Sequence, residues 1–455
     1  MLTRYLYANA GYRPNHAALV HGDERVSHAE LLERVERLAE GLRDRGVRAG
    51  DAVALILPNG PSFVTAFLAV TGIGAIVVPL NPQFKTDERR FCMGTCGVRH
   101  ILADERDIAR LIEDHDRRPI DPRLSEETFV YQFSSGSTGR PKRLARTHGQ
   151  LWAEAESYTW ITPDDRLFCA VPLFHTYGMG CCLVAAVRNG ATLVFLDEPH
   201  PFLLARNRAL ELLEREEVTV FPGVPFHYRL LADAPRAADL LSMRLCFSAG
   251  SALDRASFDA FLQRFGIPVR QLYGCTEAGT LTVNLDPDPV ATFESVGTPN
   301  GSVRVRIEDG EVVVSSPAMT SGYCDDEQLN RRAFRDGWFY TADLGRLDDD
   351  GRLFVTGRRK LLIEVAGHKV DPIEVQDVIA AHPKVREAVV VGVPTMTRGD
   401  EVVKAVVVPD DGCGEREVIE FCQERLANFK VPRMVEFRDE IPKSPLGKVL
   451  RKYLV

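Results

Sequence analysis

No stretch of this sequence is apolar for long enough to cross a membrane as a single helix. The longest apolar run extends from Ala66 to Leu80 and is interrupted by Gly72 and Gly74, whereas a membrane-spanning helix needs about 20 apolar residues. The run therefore predicts a buried helix followed by a buried strand. Arg4 and Arg13 stand near the N-terminus, where a secretory signal would have an apolar core, and we expect a cytoplasmic protein.

The sequence also lacks an excess of positive charge and a clear pattern of metal ligands. Its 56 Lys and Arg residues are outnumbered by 64 Asp and Glu residues, for a formal net charge of -8. This balance argues against a nucleic-acid-binding face. The ten cysteines form no CxxC pair and no HExxH motif occurs; Cys92 and Cys96 are only a weak metal candidate. We expect reduced and mostly buried thiols.

Helix and strand signals alternate along the first part of the chain. HAELLERVERLAEGLRDRG has helical spacing of its leucines, whereas DAVALILPNG and AIVVPLN are short apolar strands. Continuous apolar strands between helices are typical of a parallel sheet covered on both faces. From about Thr292 the pattern changes to alternating strands with Asp-Gly turns, and after Gly357 it is short and mixed.

These patterns predict an α/β protein with a large and a small domain. The large N-terminal domain, residues 1–357, would contain α/β subdomains and a β-rich subdomain. A hinge at residues 358–360 would connect it to a small α+β C-terminal domain, residues 361–455. In that domain Asp371 and Pro372 form a clear helix start.

The stretch SSGSTGRPK, Ser134 to Lys142, has the composition of an anion-binding loop. Glycine lets backbone N–H groups approach a ligand, and hydroxyl and cationic side chains suit phosphate. A Walker A loop is excluded because Arg140 and Pro141 separate Gly139 from Lys142. Strand-like segments flank the loop, so it is predicted to join two strands, whereas a P-loop opens directly into a helix.

Together with six later motifs, this loop resembles the adenylate-forming superfamily. That superfamily includes acyl-CoA and aryl-CoA synthetases, the adenylation domains of peptide synthetases, and luciferases. The resemblance covers essentially the whole chain. The further motifs are PLFHTYG from Pro172, SAGS from Ser248, YGCTE from Tyr273, YTAD from Tyr340, GRRKLLI from Gly357 and PKSPLGKVLR from Pro442.

The resemblance implies that a carboxylate attacks the α-phosphate of ATP with Mg²⁺ present, and that coenzyme A then accepts the acyl group. Both reactants of the first step are anions, so catalysis would rest on positioning and charge neutralisation. Lys448 would bridge the carboxylate and the α-phosphate, Thr276 would contact that phosphate, and His175 would gate the acid pocket. Glu277 and Thr138 would hold the metal.

The same resemblance implies a nucleotide site and a moving C-terminal domain. Lys360 is expected to be the pivot of that mobile domain. The residues expected to bind the nucleotide are Ser134, Ser135, Gly136, Ser137, Thr138, Gly139, Lys142, Ser248, Ala249, Gly250, Tyr273, Gly274, Asp343 and Arg358.

Three positions depart from the family's pattern. Ala342 replaces the glycine of the usual Thr-Gly-Asp, which would cost about 1 kcal/mol if the position needs a positive φ. Arg143 stands where the family often has glycine, and Leu361 stands where an acidic residue is usual.

The expected acid pocket disfavours an α-amino acid, because PLFHTYG lacks the aspartate that pairs with a substrate ammonium. A fatty, branched or aromatic carboxylic acid is favoured by a mostly apolar lining. The expected lining residues are Tyr177, Gly178, Met179, Val224, Ser248, Leu272 and Leu281.

The first choice of function is therefore an acid–CoA ligase. An acyl-AMP ligase that loads a carrier-protein phosphopantetheine is the alternative, because it would share every adenylation residue. A catalytically inactive nucleotide- or acyl-binding protein is a remote third reading, disfavoured by the intact Glu277, Asp343 and Lys448. The identity of the acid and the oligomeric state stay open.

Overall fold

A computed structural model describes residues 2–120, 127–134, 141–197, 202–358, 363–365, 368–395, 401–410, 412–444, 447 and 449–455. Within these ranges the α-helices are α1 (Thr3–Tyr12), α2 (His28–Asp44), α3 (Pro61–Gly72), α4 (Thr86–Cys96), α5 (Glu105–Asp114), α6 (His148–Glu156), α7 (Thr176–Gly178), α8 (Ala185–Asn189), α9 (Phe202–Arg215), α10 (Pro225–Ala232), α11 (Arg255–Phe265), α12 (Glu327–Ala333), α13 (Pro372–Ala380) and α14 (Glu415–Gln423). A π-helix spans Met179–Val184, and 3₁₀-helices span Asn428–Lys430 and Arg451–Tyr453.

The strands of the first half of the chain are β1 (Ala17–His21), β2 (Glu24–Ser27), β3 (Ala52–Leu55), β4 (Ile76–Pro79), β5 (His100–Leu102), β6 (Thr128–Ser134), β7 (Lys142–Thr147), β8 (Arg166–Cys169), β9 (Thr192–Phe195) and β10 (Val220–Gly223). The later strands are β11 (Leu245–Ser248), β12 (Val269–Cys275), β13 (Gly279–Val283), β14 (Thr298–Pro299), β15 (Arg304–Glu308), β16 (Glu311–Ser315), β17 (Phe334–Arg335), β18 (Trp338–Leu347), β19 (Leu353–Arg358), β20 (Ile363–Val365), β21 (His368–Val370), β22 (Val385–Pro394), β23 (Glu401–Pro409) and β24 (Met434–Phe437).

The largest sheet among the described residues has nine strands in the order β14, β13, β12, β11, β10, β8, β9, β1, β2. Its central pairs, from β12 to β1, are all parallel, and antiparallel strands close both edges. Strands such as β10 and β11 are buried along their whole length, which is the reason for their continuous apolar sequence. Phe168, Phe221 and Phe258 lie in the core between this sheet and its helices.

A second sheet has the order β5, β3, β4, β6, β7. It is parallel except for the last pair, in which β6 and β7 run antiparallel with Ser134 opposite Lys142. The loop of the SSGSTGRPK motif therefore joins two strands, as predicted. Both sheets confirm the predicted α/β class.

Two compact units make up the chain. One contains Met1–Val305, Val314–Phe339 and Asp349–Leu353, and the other contains Arg306–Val313, Tyr340–Asp348 and Phe354–Val455. The predicted limits at 1–357, 358–360 and 361–455 stay predictions. Strands β15, β16, β18 and β17, with β19 beside β18, form the β-rich region that the sequence predicted after Thr292.

The C-terminal part of the second unit is an α+β fold with its own core. Strands β22, β23 and β24 form one sheet and β20 and β21 another. Val375 and Ile379 of α13 pack with Val390 and Val407 of the larger sheet. Helix α13 begins as predicted, because the Asp371 side chain caps it by accepting a hydrogen bond from the Ile373 N–H.

Between α7 and α8 the chain forms the π-helix Met179–Val184, which the apolar pattern of this segment does not reveal. Within the described ranges, no helix has the length and hydropathy that a membrane crossing requires. All ten cysteines are free thiols, most of them buried, as expected.

Candidate active site

Five of the predicted site residues lie at or just after the carboxyl ends of four neighbouring parallel strands. His175 and Tyr177 follow β8, Val224 follows β10, Ser248 ends β11, and Tyr273 lies near the end of β12. These strands are adjacent in the nine-stranded sheet. Loops at the carboxyl ends of parallel strands share one edge of a sheet, which is the usual place for a ligand site in α/β folds.

The anion-binding loop is anchored at both ends by the β6–β7 pair. Ser134 and Lys142 are opposite each other in the register. Ser135, Gly136, Ser137, Thr138 and Gly139 lie outside the described residues, so their expected contacts with phosphate stay predictions.

Tyr323 brings together two predicted site residues that are far apart in sequence. Its hydroxyl donates a hydrogen bond of 2.8 Å to Glu277 Oε1. The Lys142 ammonium lies 5.2 Å from the centre of the same ring, which is within the range of a cation–π contact. Glu277 and Tyr323 are both only 9% exposed, so this contact is shielded from solvent.

Arg143, one of the departures from the family's pattern, secures the exit of the anion-binding loop. Its guanidinium binds Asp325 through Nε at 3.2 Å and Nη2 at 2.8 Å, and Nη1 donates to the Thr95 carbonyl at 2.5 Å. The Arg143 carbonyl accepts from the Cys324 N–H at 2.9 Å. The segment that carries Tyr323 is therefore bound to the start of β7 through both the side chain and the backbone carbonyl of Arg143.

Tyr177 is held in one orientation at the edge of the sheet. Its hydroxyl donates to the carbonyls of Gly223, at 3.1 Å, and Phe247, at 3.3 Å. Burial raises the pKa of Tyr177 well above its usual value, so the hydroxyl stays neutral and remains a donor. The His175 Nδ1 accepts from the Tyr177 N–H at 3.2 Å, which fixes the histidine ring beside it.

Gly178 permits a close approach that no other residue would allow. A Cβ at this position would lie 2.3 Å from the Pro172 carbonyl oxygen. Within the PLFHTYG motif, the Gly178 backbone therefore packs directly against the Pro172 carbonyl, just before the π-helix begins at Met179. π-Helical turns are frequent at functional sites, and no sequence pattern predicts this one.

The other predicted lining residues are almost completely buried. Met179 and Leu281 have no exposed surface, and Val224 and Leu272 are 1% and 5% exposed. Buried Gln132, on β6, donates to Thr176 Oγ1 at 3.0 Å and approaches Met179 Sδ at 3.9 Å. Gln132 was missed because a single glutamine in a strand carries no functional signal.

The SAGS and YGCTE motifs lie on neighbouring strand ends. Ser248 and Ala249 are buried, and the Ala249 N–H donates to the Gly223 carbonyl at 3.3 Å. Gly250 is exposed and has φ +85°, a conformation that favours glycine. Gly274 is also exposed, and Thr276 is half-buried.

Asp343 and Arg358 are brought together as an ion pair in the second unit. Arg358 Nε lies 3.3 Å from Asp343 Oδ1, and the carboxylate is only 16% exposed. The preceding residue, Ala342, has φ +61°, so this position does have the backbone conformation that favours glycine. The Ala342 N–H donates to Glu311 Oε1 at 2.8 Å, which helps to hold this turn.

Glu277 fits the magnesium role that the sequence predicted for it. Carboxylate oxygens are the ligands that Mg²⁺ prefers, and the ion is usually held by one or two carboxylates together with substrate phosphates. The hydrogen bond from Tyr323 orients the carboxylate, as an outer-shell partner orients a metal ligand. Among the described residues there is no cluster of three His, Cys, Asp or Glu side chains that could hold a metal by itself.

Lys448 and Lys360 lie outside the described residues. Their expected roles, as the bridging cation and as the pivot, stay predictions. Tyr323 is the main site residue that the sequence reasoning missed, because only the pairing of its segment with β7 places it beside Glu277.

Comparison with known proteins shows similarity over nearly the whole chain. The profile of the family described as AMP-binding enzyme matches residues 6–324, and that of the AMP-binding enzyme C-terminal domain matches residues 374–448. Feruloyl-CoA synthase from Amycolatopsis sp is 34% identical over 474 residues, which cover 96% of this chain and 95% of the relative.

Solved structures show the same extent of similarity. O-succinylbenzoate CoA synthetase from Bacillus subtilis, in complex with its acyl-adenylate intermediate, has a TM-score of 0.88 and 30% identity, covering 99% of this chain and 97% of that chain. The same enzyme in complex with ATP and magnesium has a TM-score of 0.87 and 29% identity, covering 99% of this chain and 98% of that chain.

Proposed function

The chain belongs to the AMP-binding enzyme family, and from that premise we propose that it is an ATP-dependent carboxylic acid–CoA ligase for a ring-bearing acid. Family membership confirms the resemblance predicted from the motifs. The reaction class, acid–CoA ligation through an acyl adenylate, agrees with the relatives that cover nearly the whole chain.

The reaction has two steps. A carboxylate oxygen of the acid attacks the α-phosphorus of ATP, and the bond from this phosphorus to the oxygen that bridges to the β-phosphate breaks, releasing pyrophosphate. The sulfur of coenzyme A, which loses its proton, then attacks the acyl carbon. The bond from that carbon to the adenylate oxygen breaks and AMP leaves. No oxidant or reductant is needed.

The observation that carries the proposal is the contact of Lys142, Tyr323 and Glu277 beside the anion-binding loop. A nucleotide triphosphate needs cationic and metal partners around its phosphates, and this arrangement places a lysine and an oriented carboxylate in contact with the same tyrosine. Magnesium held by Glu277 would neutralise phosphate charge in the first step. Lys142 supplies a positive charge of the chain itself at the exit of the loop.

The other expected roles are part of the same proposal. Thr276 contacts the α-phosphate, and Asp343 accepts hydrogen bonds from the ribose hydroxyls with Arg358 beside it. Ser248, Ala249, Gly250, Tyr273 and Gly274 border the nucleotide. Lys448 bridges the two reacting groups in the first step, and the C-terminal domain turns about Lys360 before the second.

The acid is assigned to the ring-bearing class on the basis of the pocket residues and the relatives. The side chains of Met179, Val224, Leu272 and Leu281 are apolar and buried, which suits a bulky apolar body. Feruloyl-CoA synthase and o-succinylbenzoate CoA synthetase are each named for an aromatic acid. Tyr177, fixed by two backbone carbonyls, gives this pocket a rigid wall.

The proposal is tested by product analysis with a panel of acids. Aromatic, branched, straight-chain and α-amino acids are each incubated with ATP, Mg²⁺ and either coenzyme A or a phosphopantetheine-bearing carrier protein, and the thioester is identified by mass. The proposal expects a CoA thioester with an aromatic acid. A thioester on the carrier protein alone would establish the alternative acceptor, and the absence of acyl-AMP with every acid would leave the inactive binding protein. The cytoplasmic location stays a prediction.

A further inference from the structure

A buried ion pair lies behind the candidate site, between Arg146 on β7 and Glu154 on α6. Arg146 Nη1 is 2.6 Å from Glu154 Oε2, and the two side chains are 0% and 2% exposed. We propose that Arg146 and Glu154 are positioning residues that hold the π-helix and the turn after Glu277 in place for adenylation. This inference rests on the proposed function.

The first reason is energetic. A buried ion pair seldom stabilises a fold more than an apolar pair of similar volume, because desolvation of both charges offsets their attraction. Arg146 and Glu154 belong to segments at the candidate site, since Arg146 is on the strand that begins at Lys142. A positioning role explains why a charged pair, Arg146 and Glu154, occupies a buried place in which apolar side chains could pack.

The second reason is the way in which two glycines close around the Glu154 carboxylate. A Cβ on Gly180 would lie 2.6 Å from Glu154 Oε1, and a Cβ on Gly279 would lie 2.7 Å from Glu154 Cδ. Gly180 is in the π-helix that follows Tyr177, and Gly279 follows Glu277 by two residues. One carboxylate therefore determines how closely both backbone segments can approach α6.

Hydrogen bonds extend this arrangement to the neighbouring residues. The Tyr158 hydroxyl donates to Glu154 Oε1 at 2.8 Å and lies 3.0 Å from Thr280 Oγ1. On the other side, Arg146 Nη2 donates to the Ala318 carbonyl at 3.1 Å.

Thr320 connects the same region to the backbone of Glu277. Its N–H donates to the Glu277 carbonyl at 2.8 Å, and its hydroxyl donates to the Ala145 carbonyl at 2.7 Å. A change in the Arg146–Glu154 pair would thus reach the Glu277 carbonyl and the backbone that follows it.

The test uses the double variant Arg146→Met/Glu154→Gln, which removes both charges while nearly preserving volume. The whole enzyme is assayed for acid-dependent exchange of labelled pyrophosphate into ATP over a range of Mg²⁺ concentrations, and its thermal unfolding is recorded. We expect a melting temperature near that of the wild type, a fall in kcat of about 10-fold or more, and a higher half-saturating Mg²⁺ concentration. The single variant Gly180→Ala, which pushes on the same carboxylate, should lower kcat in the same way.

The matched control is Arg166→Met/Glu216→Gln. In this pair Arg166 Nη2 lies 2.8 Å from Glu216 Oε2, and the two side chains are 24% and 4% exposed. Arg166 begins β8, so the control pair lies at the amino ends of the strands, away from the candidate site. Its exchange rate and Mg²⁺ dependence should stay at wild-type values.

An unchanged kcat and Mg²⁺ dependence in the folded Arg146→Met/Glu154→Gln variant would overturn the inference, as would an equal loss in the control. If the double variant does not fold, Gly180→Ala decides between the same two outcomes. Absence of exchange in the wild type with every acid would instead overturn the proposed function, so the two failures are distinguishable.

Discussion

The hydroxyl of Tyr323 donates a hydrogen bond to the carboxylate of Glu277 at 2.8 Å. The same ring lies under the Lys142 ammonium. One aromatic side chain thereby joins the carboxylate expected to hold magnesium to the residue that ends the anion-binding loop. This contact is the structural basis for reading the loop and the YGCTE motif as parts of one site.

Replacement of Tyr323 by phenylalanine tests that contact. Tyr323→Phe keeps the ring beside Lys142 but removes the hydrogen bond that orients Glu277, so the carboxylate should hold the metal less well. We expect pyrophosphate exchange to need about 10-fold more Mg²⁺ for half-saturation, as measured by titration of the metal. Tyr7→Phe is the matched control, because it removes a Tyr–Glu hydrogen bond, to Glu36, outside the site motifs. An unchanged Mg²⁺ requirement in Tyr323→Phe would refute the orienting role.

The positive φ of Ala342 predicts a stabilising substitution. Glycine adopts φ +61° without the steric cost that alanine bears, so Ala342→Gly should raise the free energy of unfolding by about 1 kcal/mol. Urea denaturation of the wild type and the variant measures the difference. Ala8→Gly in helix α1 is the control and should lower stability by a similar amount, about 1 kcal/mol. A less stable Ala342→Gly variant would show that the turn does not strain the alanine.

Lys448 is expected to act in only one of the two half-reactions. Its positive charge would bridge the carboxylate and the α-phosphate, so Lys448→Ala should abolish adenylation. Thioester formation from supplied acyl-adenylate and coenzyme A should be largely spared, because the phosphorus–oxygen bond is already formed. Lys452→Ala, a change of a neighbouring lysine, is the control. Equal loss of both half-reactions in Lys448→Ala would contradict the expected division of roles.

The buried imidazole of His227 predicts a loss of stability in acid. Burial lowers the pKa of His227 to about 3, whereas an unfolded chain binds the proton near its ordinary pKa of about 6.5. Between these pH values the unfolded state binds more protons, so this contribution to stability is complete above about pH 6.5 and is lost as the pH falls, by about 1.4 kcal/mol per pH unit.

Urea denaturation at a series of pH values between neutrality and about pH 5 measures this dependence. His227→Phe should reduce the slope, because its ring is accommodated between Phe202 and Phe221 and binds no proton. An equally steep slope in the variant would assign the acid sensitivity to other groups.

Much of the fold could be predicted because it depends on local patterns. The strands β3, β4, β10 and β11 are short apolar runs between helices, and parallel sheets covered on both faces need that pattern. The motifs follow the strand ends, so their common edge also follows from topology once the strands are known.

The rest could not be predicted because it depends on tertiary contacts. Arg146 lies in KRLART on the same strand face as Leu144, but nothing in the sequence indicates that its buried side chain pairs with Glu154. Tyr323 reaches Glu277 only because its segment pairs with β7. The π-helix at Met179–Val184 changes the backbone hydrogen bonding without changing the apolar pattern.

Acid-dependent exchange of labelled pyrophosphate into ATP is the most direct test of acyl-adenylate formation by this protein. The assay needs only the protein, Mg²⁺, ATP, labelled pyrophosphate and a candidate acid, and it reports acyl-adenylate formation before any thiol takes part. We predict exchange with an aromatic carboxylic acid and none without an acid. Failure of exchange with every carboxylic acid in the panel, by a folded protein that binds ATP, would contradict it.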